Sequence, residues 1–121
     1  MAGYRYGEIV WTKISDGHGN AKPRPVLVIS GNESNESGEN LQVLAISTTP
    51  DYTCPPYHIE IPLRPKWHKL DPGSRVKCNW AGDVPQCDVI RSLGMIDSET
   101  LEIVVEWFDR LFNDDSFDDW Q

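Results

Sequence analysis

The chain has 121 residues, 39% of them hydrophobic and 25% charged, and a formal net charge of −8. That length sets one domain with a modest core, and no apolar run approaches the ~20 residues of a membrane span. Residues 1–96 carry ten acids and ten bases, whereas residues 97–121 carry nine acids and a single base, Arg110. The acidic surplus therefore belongs to the C-terminal end. It predicts weak non-specific binding of polyanions, while a nucleic-acid partner at a local basic surface stays open.

Taken in order, the chain opens with a strand. Residues 7–14 place β-branched and aromatic residues after a glycine, a strand composition. Residues 15–22 hold two glycines and an Asp-Gly turn signal, so they read as a loop. Residues 26–29 form a short, continuous apolar run, which suits a strand covered on both faces. Residues 31–40 contain no apolar side chain and read as a mobile surface loop. Residues 41–48 form a second apolar strand, followed by a proline-containing turn region. Residues 57–61 alternate as a strand and stop at Pro62.

Residues 64–69 are a basic loop carrying Trp67. Residues 74–80 alternate again. Val76, Cys78 and Trp80 fall on one face, which puts Trp80 in the core, and Arg75, Lys77 and Asn79 fall on the other. Residues 81–88 read as loop and residues 89–96 as one more short strand. The period then changes to that of a helix, with Leu101, Val104, Val105, Phe108, Leu111 and Phe112 on one stripe. Asp97 or Ser98 caps its start. Acids crowded after Phe112 oppose the helix dipole, so the helix ends near residue 112 or 113.

This pattern predicts a mainly β domain over residues 1–112, a small, strongly curved sheet with a C-terminal helix packed on it. Residues 113–121 form an acidic tail in which Phe117 and Trp120 sit among four aspartates. Such a peptide has the composition to fill a basic groove, or to serve only as a solubilising end. Three widely spaced cysteines and no N-terminal apolar segment point to reduced thiols in a cytoplasmic protein. Cys54, His58, Cys78 and Cys87 lack a CxxC pair, so no metal site is expected.

The stretch that organises the chain is Lys22-Pro23-Arg24-Pro25 running into the 26–29 strand. Each proline disfavours helix at the residue before it, which delivers Arg24 on a stiffened backbone at the edge of a strand. Surface pairing with a carboxylate is the ordinary fate of such an arginine.

Gly7-Glu8-Ile9-Val10-Trp11, then a Gly-rich loop, then Arg24-Pro25-Val26-Leu27-Val28-Ile29-Ser30, then Ala45-Ile46-Ser47-Thr48 resembles the MazF/PemK toxins of bacterial type II toxin–antitoxin systems. Val76-Lys77-Cys78-Asn79 and Ser92-Leu93-Gly94-Met95-Ile96 resemble the later strands of that family. The resemblance runs over roughly residues 7–112. It implies an SH3-like β-barrel with a C-terminal helix. It also implies a homodimer, an antitoxin partner, no membrane, and cleavage of single-stranded RNA without metal or cofactor.

In that chemistry the substrate's own 2′-OH attacks the phosphate, leaving a 2′,3′-cyclic phosphate and a 5′-OH. The site must take a proton, stabilise the added charge and protonate the leaving oxygen. The resemblance implies Arg24 as the catalytic arginine, and a guanidinium suits the charge. It implies Ser47 as the catalytic hydroxyl, with Thr48 the alternative one residue on. His18, six residues before Arg24, matches a histidine of some PemK members and has the pKa range for proton transfer; otherwise it is a solvated loop residue.

Lys77 falls near a basic position of the family. Asn79 falls where PemK members carry an acid, and an asparagine cannot take a proton. Lys22, Lys66, Lys77 and Asn79 complete an RNA-binding set with Trp67, the tryptophan placed to stack a base; Trp11 and Trp80 read as core. A barrel without catalysis that regulates by binding protein or nucleic acid is the second reading. A gyrase-directed toxin on the same fold is a third.

Overall fold

The computed structural model describes residues 4–15, 21–47, 55–62 and 66–112. His18, Thr48, Cys54 and the 113–121 tail lie outside the described residues. Among the described residues, six strands and two α-helices follow in chain order: β1 (Glu8–Ser15), β2 (Ala21–Val28), α1 (Asn32–Glu36), β3 (Leu41–Ser47), β4 (His58–Glu60), β5 (Arg75–Val84), β6 (Val89–Met95) and α2 (Ser98–Phe112). All strands pair antiparallel in one sheet, ordered β4-β5-β3-β2-β1-β6.

The sheet curls, because Ile61 beside β4 and Leu93 on β6 share one apolar cluster. It does not close, since β4 and β6 remain its edges. The expected small barrel with a C-terminal helix is therefore met in the loose sense of a curled, open sheet.

The apolar runs of β1 to β3 are continuous because both faces of the sheet are covered. Ile9, Leu27, Leu44 and Ile46 pack with Val76, Leu101 and Val104 on the helix side. Val10, Val26, Val28, Val43 and Val84 form a second cluster on the other face. Val104, Val105, Phe108 and Leu111 turn the α2 stripe onto the first cluster. Phe112 is exposed instead. Cys78 is buried in the first cluster, and burial pushes its thiol up to about 12.

Asp97 caps α2. Its Oδ2 accepts from the Thr100 backbone N at 3.0 Å and from Thr100 Oγ1 at 2.7 Å. Asp97→Ala removes both hydrogen bonds at a buried site. The expected loss is about 1–2 kcal/mol, read as a lower urea midpoint at constant slope.

Three readings of the sequence are corrected. Residues 31–40 contain the short helix α1, with Asn35 fully buried. Asn35 Oδ1 accepts from Ser30 Oγ at 2.6 Å, and its Nδ2 donates to Ser30 O at 3.2 Å. Polar bonds rather than apolar burial order this segment. Residues 81–84 continue β5 instead of forming a loop.

Trp80 is 37% exposed rather than core. Leu44 pairs with Ala81 but Ala45 pairs with Lys77, so Cys78, Asn79 and Trp80 bulge out of the ladder. The bulge resets the alternation on which the core placement rested. A Cβ on Gly82 would lie 3.2 Å from the Trp80 ring, so the indole rests over a glycine.

Candidate functional site

The site begins with two missing amide protons. In an antiparallel strand, successive N–H groups point to opposite sides. Ile29 N donates to Gln42 O on the β3 side at 2.8 Å. By alternation the backbone nitrogens of residues 27, 25 and 23 face the same side. Residues 25 and 23 are prolines and have nothing to donate. The β2–β3 ladder accordingly stops at the pair Val26–Ala45. On its other side β2 stays paired with β1 as far as Ala21 and Ser15. This corrects the expectation of a strand over residues 26–29 preceded by a loop through residue 22: β2 spans Ala21–Val28 and both prolines lie within it, where only an unpaired side tolerates them.

Where the ladder stops, a cleft of about 330 Å³ opens. Residues 22–25 border it from β2, and Ile46 and Ser47 border it from β3. Continuing the Val26–Ala45 register two positions puts Arg24 opposite Ser47. Alternation sets Lys22 and Arg24 on one face of β2 and the prolines on the other, so the cleft wraps the free edge of the strand. Buried Ile46, Leu70 and Leu93 floor it, together with the half-buried Trp11. Trp11 packs on the core as expected and also faces the cleft.

Exposed charges rim the cleft. Four cations, Lys22, Arg24, Lys69 and Arg91, stand against one carboxylate, Asp71. Arg24 has no ion pair among the described residues, so its guanidinium is not committed to an internal acid. The acidic surplus sits elsewhere: Glu99, Glu102, Glu106 and Asp109 are exposed on α2. Net charge thus conceals a cleft of the opposite sign, suited to a polyanion.

Topology assembles this rim from distant parts of the chain. Arg91 on β6 is the Cα partner of Trp11 on β1. Asp71 starts a tight turn in which Ser74 N and Oγ reach Asp71 O at 3.3 and 2.7 Å, with Gly73 at φ +82°. Lys69 N donates to Leu93 O at 2.8 Å, which ties that segment to β6. Lys69, Asp71 and Arg91 are the members sequence reasoning missed. A charge in a local window carries no sign of the strand it will face.

The other expected site residues fall in three places. Lys66 and Trp67 line a smaller neighbouring hollow. Lys77 is half-buried within β5, between Ala45 and His58, and Asn79 is exposed in the bulge; neither lines the cleft. His18 and Thr48 are outside the described residues. No group of three or more potential metal ligands occurs among the described residues. No described helix is long and apolar enough to cross a membrane.

Several solved structures share the fold. MazF from Deinococcus radiodurans superposes with a TM-score of 0.76 at 17% identity, covering 92% of this chain and 97% of that one. The Mycobacterium tuberculosis toxin MazF-mt6 gives 0.70 at 21% identity, covering 88% and 96%. An endoribonuclease in complex with its cognate antitoxin from a mycobacterial species gives 0.70 at 16%, covering 90% and 94%. Among curated proteins, none matches the sequence. The sequence profile of the PemK-like, MazF-like toxins of type II toxin–antitoxin systems matches residues 5–112. The chain belongs to that family of toxins.

Proposed function

We propose that the chain is an endoribonuclease toxin whose cleft binds single-stranded RNA and cleaves it by attack of the substrate's 2′-OH. One observation carries the reading: Arg24 and Ser47 border one cleft at facing register positions, under a rim of four cations. Arg24 stabilises the charge that builds on the phosphorane, and Ser47 donates a hydrogen bond to a phosphate oxygen. Lys22, Lys69 and Arg91 hold the flanking phosphates. The 2′-oxygen bonds to phosphorus as the bond to the 5′-oxygen breaks.

The 2′-OH proton has two acceptors on offer. One is His18; the other is Asp71, the one carboxylate among the described cleft-lining residues. The leaving 5′-oxygen takes its proton from water. Because the nucleophile belongs to the substrate and a guanidinium supplies the charge, the reaction needs no metal.

An antitoxin, a second copy of the chain and the cytoplasm complete the proposal. They are supported by membership of a toxin–antitoxin family and by relatives solved with their antitoxins. Long single-stranded RNA incubated with the protein in EDTA tests it. Discrete fragments ending in 2′,3′-cyclic phosphate support the nuclease. Intact RNA across varied sequences favours the non-catalytic regulator, the reading that Asn79 supports.

The cationic rim gives a separate expectation. Binding of uncleavable 2′-O-methyl RNA weakens with salt, and log K falls with log salt at a slope of about 0.7 per phosphate neutralised. Lys69→Ala and Arg91→Ala each lower that slope by roughly this amount, and Glu106→Ala on α2 leaves it unchanged. Titrations at several salt concentrations check this.

A further inference from the structure

The cleft does not end at its rim. Lys69 and Leu93 also line a second hollow of about 210 Å³, whose other walls include Trp67, Ser92 and Gly94. Trp67 is 55% exposed, the most exposed of the large apolar side chains described.

This indole is displayed by a fixed frame. Met95 N donates to Trp67 O at 2.9 Å, and Lys69 N donates to Leu93 O at 2.8 Å. His68 between them is buried, bridges to Gly94, and has Nε2 3.0 Å from Pro62 O. Gly94 admits the approach: a Cβ there would stand 2.0 Å from Trp67 O. A flat ring held out on an ordered backbone loses little freedom when another ring stacks on it. Beside it, Ser92 Oγ accepts from Gly94 N at 3.3 Å, which leaves the hydroxyl proton to donate.

We propose that this hollow is a nucleobase subsite. One base next to the phosphate held at Arg24 and Ser47 leaves the stack of its own strand and lies on Trp67. Lys69, shared by both hollows, holds the phosphate between them. The inference rests on the RNA reading above and adds to it a defined contact on one side of the scissile bond. Stacking tolerates any base, so the subsite sets position and affinity more than sequence.

An abasic scan tests it. Short oligoribonucleotides spanning one mapped cleavage site carry an abasic nucleotide at each position in turn. With the wild-type chain, one abasic position beside the scissile phosphate lowers kcat/KM by roughly tenfold or more, through KM. Trp67→Ala cleaves the intact oligonucleotide with the same loss, and the abasic position then costs nothing further. Trp67→Phe keeps most of the wild-type penalty.

An abasic penalty that persists undiminished in Trp67→Ala overturns the subsite and leaves the nuclease standing. The same persistence with a changed sedimentation coefficient overturns it in favour of an interface between copies. No cleavage of any RNA by the wild-type chain removes the RNA reading and the subsite together. Because the ring is exposed, Trp67→Ala keeps the wild-type melting profile.

Discussion

Arg24→Ala is expected to cleave single-stranded RNA on the order of 10²–10³-fold more slowly than the wild-type chain, with its fold unchanged. The rate effect follows from when the charge is needed. The ground-state phosphodiester carries one negative charge, and the phosphorane carries more. A fork of two N–H donors set against it lowers the barrier without rearranging at the moment of reaction.

The unchanged fold follows from exposure: Arg24 is solvent-accessible and has no ion pair among the described residues. Removing such a side chain shifts stability by less than about 0.5 kcal/mol. Arg24→Lys keeps the charge and loses the fork, so it recovers only part of the rate. Single-turnover cleavage beside a urea melt separates the two effects. A variant that cleaves at the wild-type rate removes Arg24 from the chemistry.

Gly94→Ala is expected to cost roughly 3 kcal/mol or more, a large fraction of the stability of a domain this size. Two penalties combine. The backbone at Gly94 sits at φ +119°, where an L side chain is strained. The new Cβ would also stand 2.0 Å from Trp67 O and 2.6 Å from the His68 Cα, and both are backbone atoms that no rotamer can move. Relief requires the 66–69 segment to lift from β6, which breaks its two backbone bonds and exposes His68.

Gly31 is the control. An alanine there meets nothing within 4 Å, and its melting should stay near that of the wild-type chain. Urea midpoints of the two variants decide the matter. The same lifting would move Trp67, so Gly94→Ala should weaken RNA binding even where it remains folded.

The sequence carries its own periodicities well and its long-range juxtapositions poorly. α2 was legible at its start and along its length, because a capping aspartate and an apolar stripe are local signals. β1 and β3 were legible from composition for the same reason. α1 was not, since its five residues are ordered by a buried Asn35 that looks like any loop asparagine. Past Cys78 the reading of β5 failed because three bulged residues shift the phase of the pattern. In the cleft, Arg24 and Ser47 could be named in advance through a family resemblance. Arg91 could not, because only the β1–β6 ladder brings it beside Trp11.

The paired prolines of β2 have one more effect. An unpaired strand edge ordinarily offers donors and acceptors in alternation, and that invites another extended chain to zip onto it. At Pro23 and Pro25 the donors are gone and carbonyls alone remain. The edge that opens the groove is therefore deaf to strand addition. The molecule can keep an open seam in its sheet without that seam becoming a seed for aggregation.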